Sequence, residues 1–98
     1  MNTYQTLKLT NDTEVKLTLT FGRLLKVKNM NKELYEKANN VIMNGTKDLL
    51  EMTEFIYVAY LCANLNDSMD YEEFVELIPF DFSILAKKIE SLIVSKKK

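Results

Sequence analysis

A chain of 98 residues, 47% apolar and 28% charged, has the size and composition of one globular domain spanning 1–98. A net charge of −1 and a pI near 5.4 leave no basic footprint for nucleic acid or an anionic membrane surface. The chain has no histidine and only two glycines. That removes the usual general base, the common zinc sites and any phosphate-cradling glycine loop, so no enzymatic activity, metal or cofactor is expected.

Residues 4–21 alternate. Leu7, Leu9, Val15, Leu17, Leu19 and Phe21 fall on odd positions, while Thr6, Lys8, Glu14, Lys16, Thr18 and Thr20 fall on even ones. This two-residue period, interrupted at Asn11-Asp12, predicts a β-hairpin over 3–21. A two-residue loop would set Leu9 against Glu14 and Leu7 against Lys16. A three-residue loop, Thr10-Asn11-Asp12, sets Leu7 against Val15 and gives the left-handed position to Asp12 rather than to β-branched Thr13.

Residues 21–28 predict a short helix or turn. From Asn31, a good N-cap, the residues Leu34, Ala38, Val41 and Ile42 mark one face of a helix that stops at Asn44-Gly45. Thr46 is the expected cap of the next helix. Asp70 with Glu73 reads as a capping box, with Met69 and Phe74 as its hydrophobic staple, opening a short helix from Tyr71 to Ile78 closed by Pro79. Asp81 caps the last helix, with Phe80 and Leu85 as a second staple and Phe82, Leu85, Ala86, Ile89, Leu92 and Ile93 as its buried face. The fold class is therefore α+β, mostly helical: an N-terminal hairpin, then four to five helices over 22–95, then a basic tail at 96–98.

The helix after Thr46 is the most informative element. Leu49, Met52, Ile56, Ala59 or Tyr60, and Ala63 form one seam at helical spacing. Leu50, Tyr57 and Leu61 form a second line, and Phe55, Val58 and Cys62 a third. Such a helix is either the centre of the core or an element that meets another chain. A small domain has few elements with which to cover three faces, so Leu50, Tyr57, Val58 and Leu61 are the candidate partner-binding residues, and self-association is expected as well.

The segment around Asp70 and Glu73 looks like the exit of an EF-hand loop. With Glu73 as the twelfth ligand, Cys62 falls at the first and Asp67 at the glycine position, so capping explains the match and calcium binding is not expected. Cys62, the single cysteine, reads as a small buried hydrophobe. The N-terminus lacks a signal-peptide pattern, and the apolar run from Phe55 to Ala63 is about half of a membrane span, so the chain is expected to be cytoplasmic.

Several segments taken together carry a resemblance over nearly the whole chain. They are the Leu-x-Leu hairpin running into Phe21-x-x-Leu24-Leu25, the charged helix closed by Asn44-Gly45, and the Asp48-Leu49-Leu50 start of an Ile56-Tyr57-Val58-Ala59 helix. The segment Met69-Asp70-Tyr71-Glu72-Glu73-Phe74-Val75, ahead of a final amphipathic helix, completes the set. This order resembles the tail assembly chaperones of those siphoviruses, a class of bacteriophage, that infect Gram-positive bacteria. Val58-Ala59-Tyr60-Leu61 departs from the Ala-Ala-Leu usual in their central helix. The resemblance implies a non-enzymatic, self-associating chaperone of the host cytoplasm. It would coat the tape-measure protein and keep it soluble until the major tail protein, a second partner, polymerises around it. It also implies a longer frameshifted form, for which the codons of Lys96 to Lys98 are the place to look. The alternative is an unrelated small phage or bacterial interaction module of the adaptor or anti-repressor type.

Overall fold

The computed structural model describes residues 4–96, with side chains through residue 93. Residue 3 of the expected hairpin, and Lys97 and Lys98 of the basic tail, lie outside the described residues. Strands β1 (Gln5–Lys8) and β2 (Glu14–Leu17) precede helices α1 (Phe21–Met30), α2 (Lys32–Asn44), α3 (Leu49–Ala63), α4 (Tyr71–Leu77) and α5 (Phe82–Lys96). The architecture is α+β and mostly helical, with extents of 30 × 29 × 28 Å.

The hairpin has the register that parity requires. Leu7 lies opposite Val15, and Lys8 opposite Glu14. The Leu9 amide donates to the Thr13 carbonyl at 2.8 Å, which leaves Thr10-Asn11-Asp12 as the loop, and Asp12 adopts a φ of 68°. Leu7, Leu9, Leu17 and Leu19 are all buried. The alternation ends there. Thr20 accepts from the Arg23 amide and starts α1, so Phe21, expected on the buried side of the hairpin, opens a helix instead and is 93% exposed.

Capping decides the other helix boundaries. Asn31 accepts from the Leu34 amide, and α2 ends at Gly45, whose φ of 74° and ψ of 177° suit glycine almost alone. The cap of α3 is Asp48 and not Thr46, because the Asp48 carboxylate accepts from both the Leu50 and Glu51 amides. Thr46 stands one step further out, accepting from the Asp48 amide and donating to the Glu51 carboxylate. Asp70 and Asp81 cap α4 and α5 as expected.

Helix α3 is the centre of the core. It is contacted by α1, α2, α4, α5 and β2, and every residue from Phe55 to Cys62 is buried. The Thr18 amide donates to the Ala59 carbonyl at 3.1 Å, tying the end of the hairpin across the middle of this helix. Its last carbonyls are also filled. Tyr60 accepts from the Asn64 side chain, Leu61 from the Asn64 amide, and Cys62 from the Arg23 guanidinium at 2.6 Å. Among the described residues, no helix is long and apolar enough to cross a membrane.

The start of α5 differs from its expected amphipathic pattern. Leu85, Ile89 and Leu92 are buried, but Phe82 faces outward. The second staple does not form, because Phe80 is 95% exposed. Pro79 explains this: the Asp81 amide donates to the Pro79 carbonyl at 2.9 Å, a three-residue γ-turn that projects Phe80 from its apex.

Candidate partner-binding surface

Of the four partner-binding candidates, only Leu50 reaches the surface, at 66% exposure. Tyr57, Val58 and Leu61 are buried, which corrects the expectation that they meet another chain. Five elements converge on α3, more than the apolar pattern of that helix suggested, and together they cover its three apolar lines from Met52 to Cys62, leaving Leu49 and Leu50 at its start exposed.

The burial of Tyr57 is chemically complete. Its hydroxyl donates to the Met69 carbonyl at 3.0 Å, and its ring lies 5.3 Å from Tyr71 and 5.4 Å from Phe74. Tyr60 stacks on Phe74 at 4.5 Å, and its hydroxyl accepts from the Met69 amide at 2.9 Å. Tyr71 and Thr53 join their hydroxyls at 2.8 Å, while the Thr53 hydroxyl also bonds the Leu50 carbonyl. These tyrosines use their polar tips inside the fold. Burial pushes the Tyr57 phenol above its ordinary pKa, because the charged form would lose its water.

The apolar surface lies elsewhere, in two clusters. The larger is a groove of about 530 Å³ between α1, α2 and the far end of α5. Phe21, Leu24, Leu25, Tyr35, Ile42 and Met43 line it, with Ile93 closing one end. Phe21, Leu25 and Met43 are largely exposed. Its one charged lining residue is Lys28, whose ammonium stands 5.3 Å from the centre of the Tyr35 ring. The smaller cluster, around a hollow of about 230 Å³, joins Leu49 and Leu50 at the start of α3 to Phe80 and Phe82 at the start of α5. Its one charged lining residue is Asp81.

The groove residues were open to sequence reasoning. Helix α1 needs only Leu24 and Val27 to face inward, and this leaves Phe21 and Leu25, one turn apart, on the other side. In α2, Tyr35, Asn39 and Met43 recur every four residues beside the buried Ala38 and Val41. Neither line stands out from a core stripe until the core is known to be full.

Among the described residues, no three histidine, cysteine, aspartate or glutamate side chains gather where they could hold a metal ion. The carboxylate of Asp70, considered above as a calcium-loop residue, is engaged by the Glu73 amide at 2.9 Å. What the surface can do is hold apolar side chains of another chain. No protein-family model, curated protein or solved structure matches this chain.

Proposed function

We propose that this protein is a tail assembly chaperone that binds the tape-measure protein of a bacteriophage and keeps it soluble while the tail is built. The observation that carries the reading is the groove between α1 and α2: a domain with a complete core still holds Phe21, Leu25 and Met43 in water. Exposed apolar surface of this extent on a small domain marks a site for another chain. A groove between two helices suits a client helix with anchors at helical spacing. Tape-measure proteins are long and helical, and their apolar stripes aggregate unless covered. The resemblance of element order over nearly the whole chain supports the same class.

The test is co-expression with a tape-measure protein from the genome that carries this gene, scoring the client's soluble fraction. The wild-type chain should hold the client in solution. Leu25→Glu with Met43→Glu should place two charges in the groove and release the client to the pellet, with the circular dichroism of the variant unchanged. A client that stays soluble with the double variant excludes the groove as its site. A client equally soluble without any chaperone defeats the functional reading itself.

A further inference from the structure

The hairpin has one edge where its backbone bonds run out. The Leu9 to Thr13 bond makes Leu7–Val15 and Gln5–Leu17 the pairs that exchange ladder hydrogen bonds, so the even-numbered residues turn their amides and carbonyls away from the opposite strand. On the β2 side the Lys16 carbonyl accepts from the Asn64 side chain at 3.3 Å, and the Thr18 amide donates to Ala59. On the β1 side the Thr10 amide donates to the Leu77 carbonyl at 2.8 Å. Thr6 and Lys8 stand next in line. Among the described residues, their outward amides and carbonyls have no partner. This open edge borders a hollow of about 540 Å³ whose far wall is α5. Ile84, Lys87, Lys88 and Ser91 follow one another at three- and four-residue spacing, so a single stripe of α5 lines it. Ile84 is 38% exposed, and neither lysine has an ion-pair partner among the described residues. The nearby carboxylates belong to the hairpin. Glu14 lines the hollow opposite Lys8, and Asp12 stands 3.7 Å from the Lys8 ammonium.

We propose that this edge takes an extended acidic segment of another protein as a third strand. The backbone of the segment pairs with Thr6 and Lys8, and its side chains alternate, so every second residue faces α5. Those positions call for an aliphatic side chain on Ile84 flanked by carboxylates on Lys87 and Lys88. A second copy of this chain does not suit the site. Its β1, Gln5-Thr6-Leu7-Lys8, carries no carboxylate and would set a lysine among lysines, while its β2 edge is engaged at Lys16. A nucleic acid would meet the lysines but has no amide and carbonyl ladder to offer Thr6 and Lys8. The edge shares no lining residue with the groove between α1 and α2, so the inference stands whether or not that groove holds a tape-measure protein.

Titration of the full-length protein with the capped peptide Glu-Thr-Ile-Thr-Glu-Thr, followed by amide NMR and hydrogen exchange, tests it. The bound peptide should slow exchange at the Thr6 and Lys8 amides by at least roughly 10-fold, because new bonds cover them. The peptide Lys-Thr-Ile-Thr-Lys-Thr should not bind. Lys87→Glu with Lys88→Glu should weaken binding of the acidic peptide by roughly 10-fold, an effect that shrinks as salt is raised. Thr6→Pro is the decisive variant. Proline is tolerated on an edge strand where its nitrogen faces outward, so the circular dichroism should stay native while binding falls by roughly 2- to 10-fold. If Thr6→Pro disrupts the hairpin, the acidic peptide N-methylated at every second amide replaces it. Of the two possible alternations, one should bind like the parent peptide and the other should not bind. Three results each overturn the proposal. One is no binding at millimolar peptide. Another is binding that leaves Thr6 and Lys8 unprotected and that oligothymidylate reproduces, which would make the lysines a general polyanion site. The last is protection of both amides in the protein alone, rising with its concentration, which would put a second copy on the edge.

Discussion

Tyr57 and Met69 are joined by a hydrogen bond of 3.0 Å from the phenol hydroxyl to the backbone carbonyl, and Tyr60 accepts from the amide of the same methionine. One residue of the loop after α3 is thus held at both its amide and its carbonyl by two side chains of that helix, one turn apart. The stack of Tyr60 on Phe74 then fixes α4 over the same face. This clamp is why two tyrosines that suit a protein interface belong to the interior of this one.

Tyr57→Phe keeps the ring packing and strands the Met69 carbonyl, so it should cost about 1–2 kcal/mol in urea unfolding. That is a fall of several degrees in Tm for a domain of this size. The variant should also be less sensitive to alkali. In the wild type the folded phenol holds its proton above the ordinary value of 10.0, while the unfolded phenol releases it there. The contribution is therefore whole below about pH 10 and declines as pH rises from there through the folded pKa. A stability profile above pH 10 with the same slope in wild type and Tyr57→Phe would show that Tyr57 does not carry this term.

Leu50 and Leu61, read together from the sequence, should part company on substitution. Leu50→Glu puts a charge on an exposed position and should change stability by less than about 0.5 kcal/mol. Leu61→Glu buries a carboxylate against α3's neighbours and should leave little folded protein at 37 °C. Thermal melts followed at 222 nm decide between them, and equal losses would mean that Leu50 is core as well.

The two glycines should respond in opposite directions. Gly45→Ala meets no atom within 4 Å, yet its backbone conformation is one that alanine avoids, so a loss of about 1–3 kcal/mol is expected from conformation alone. Gly22 is helical, exposed and equally unobstructed, and Gly22→Ala should add about 0.5 kcal/mol. Chemical denaturation of the pair measures both effects.

Arg23 reaches across from α1 to the Cys62 carbonyl, where the C-terminal end of α3 concentrates partial negative charge. Arg23→Ala should cost about 1–2 kcal/mol and loosen α1 on α3, raising amide exchange in the last turn of α3. Exchange confined to α1 would instead assign the loss to packing of the arginine stem.

The sequence by itself determined the hairpin register and most of the helix ends of this fold. Side-chain parity across Leu7 and Val15 selected a three-residue loop and assigned positive φ to Asp12, because register and turn type are set by neighbours along the strand. Asn31, Asp70, Asp81 and Gly45 marked helix ends, because a cap satisfies amides and carbonyls only a few residues away. What the tertiary structure alone decided is which apolar lines are core. Tyr57, Val58 and Leu61 carry the same pattern whether they meet another chain or the protein's own helices, and periodicity along one helix cannot count the elements that will cover it. Five elements cover α3, so its three lines are spent inside the domain from Met52 onward, and only Leu49 and Leu50 at its start are left outside. Phe21, Leu25, Phe80 and Phe82 are left largely exposed, which periodicity along one helix does not distinguish from core positions either.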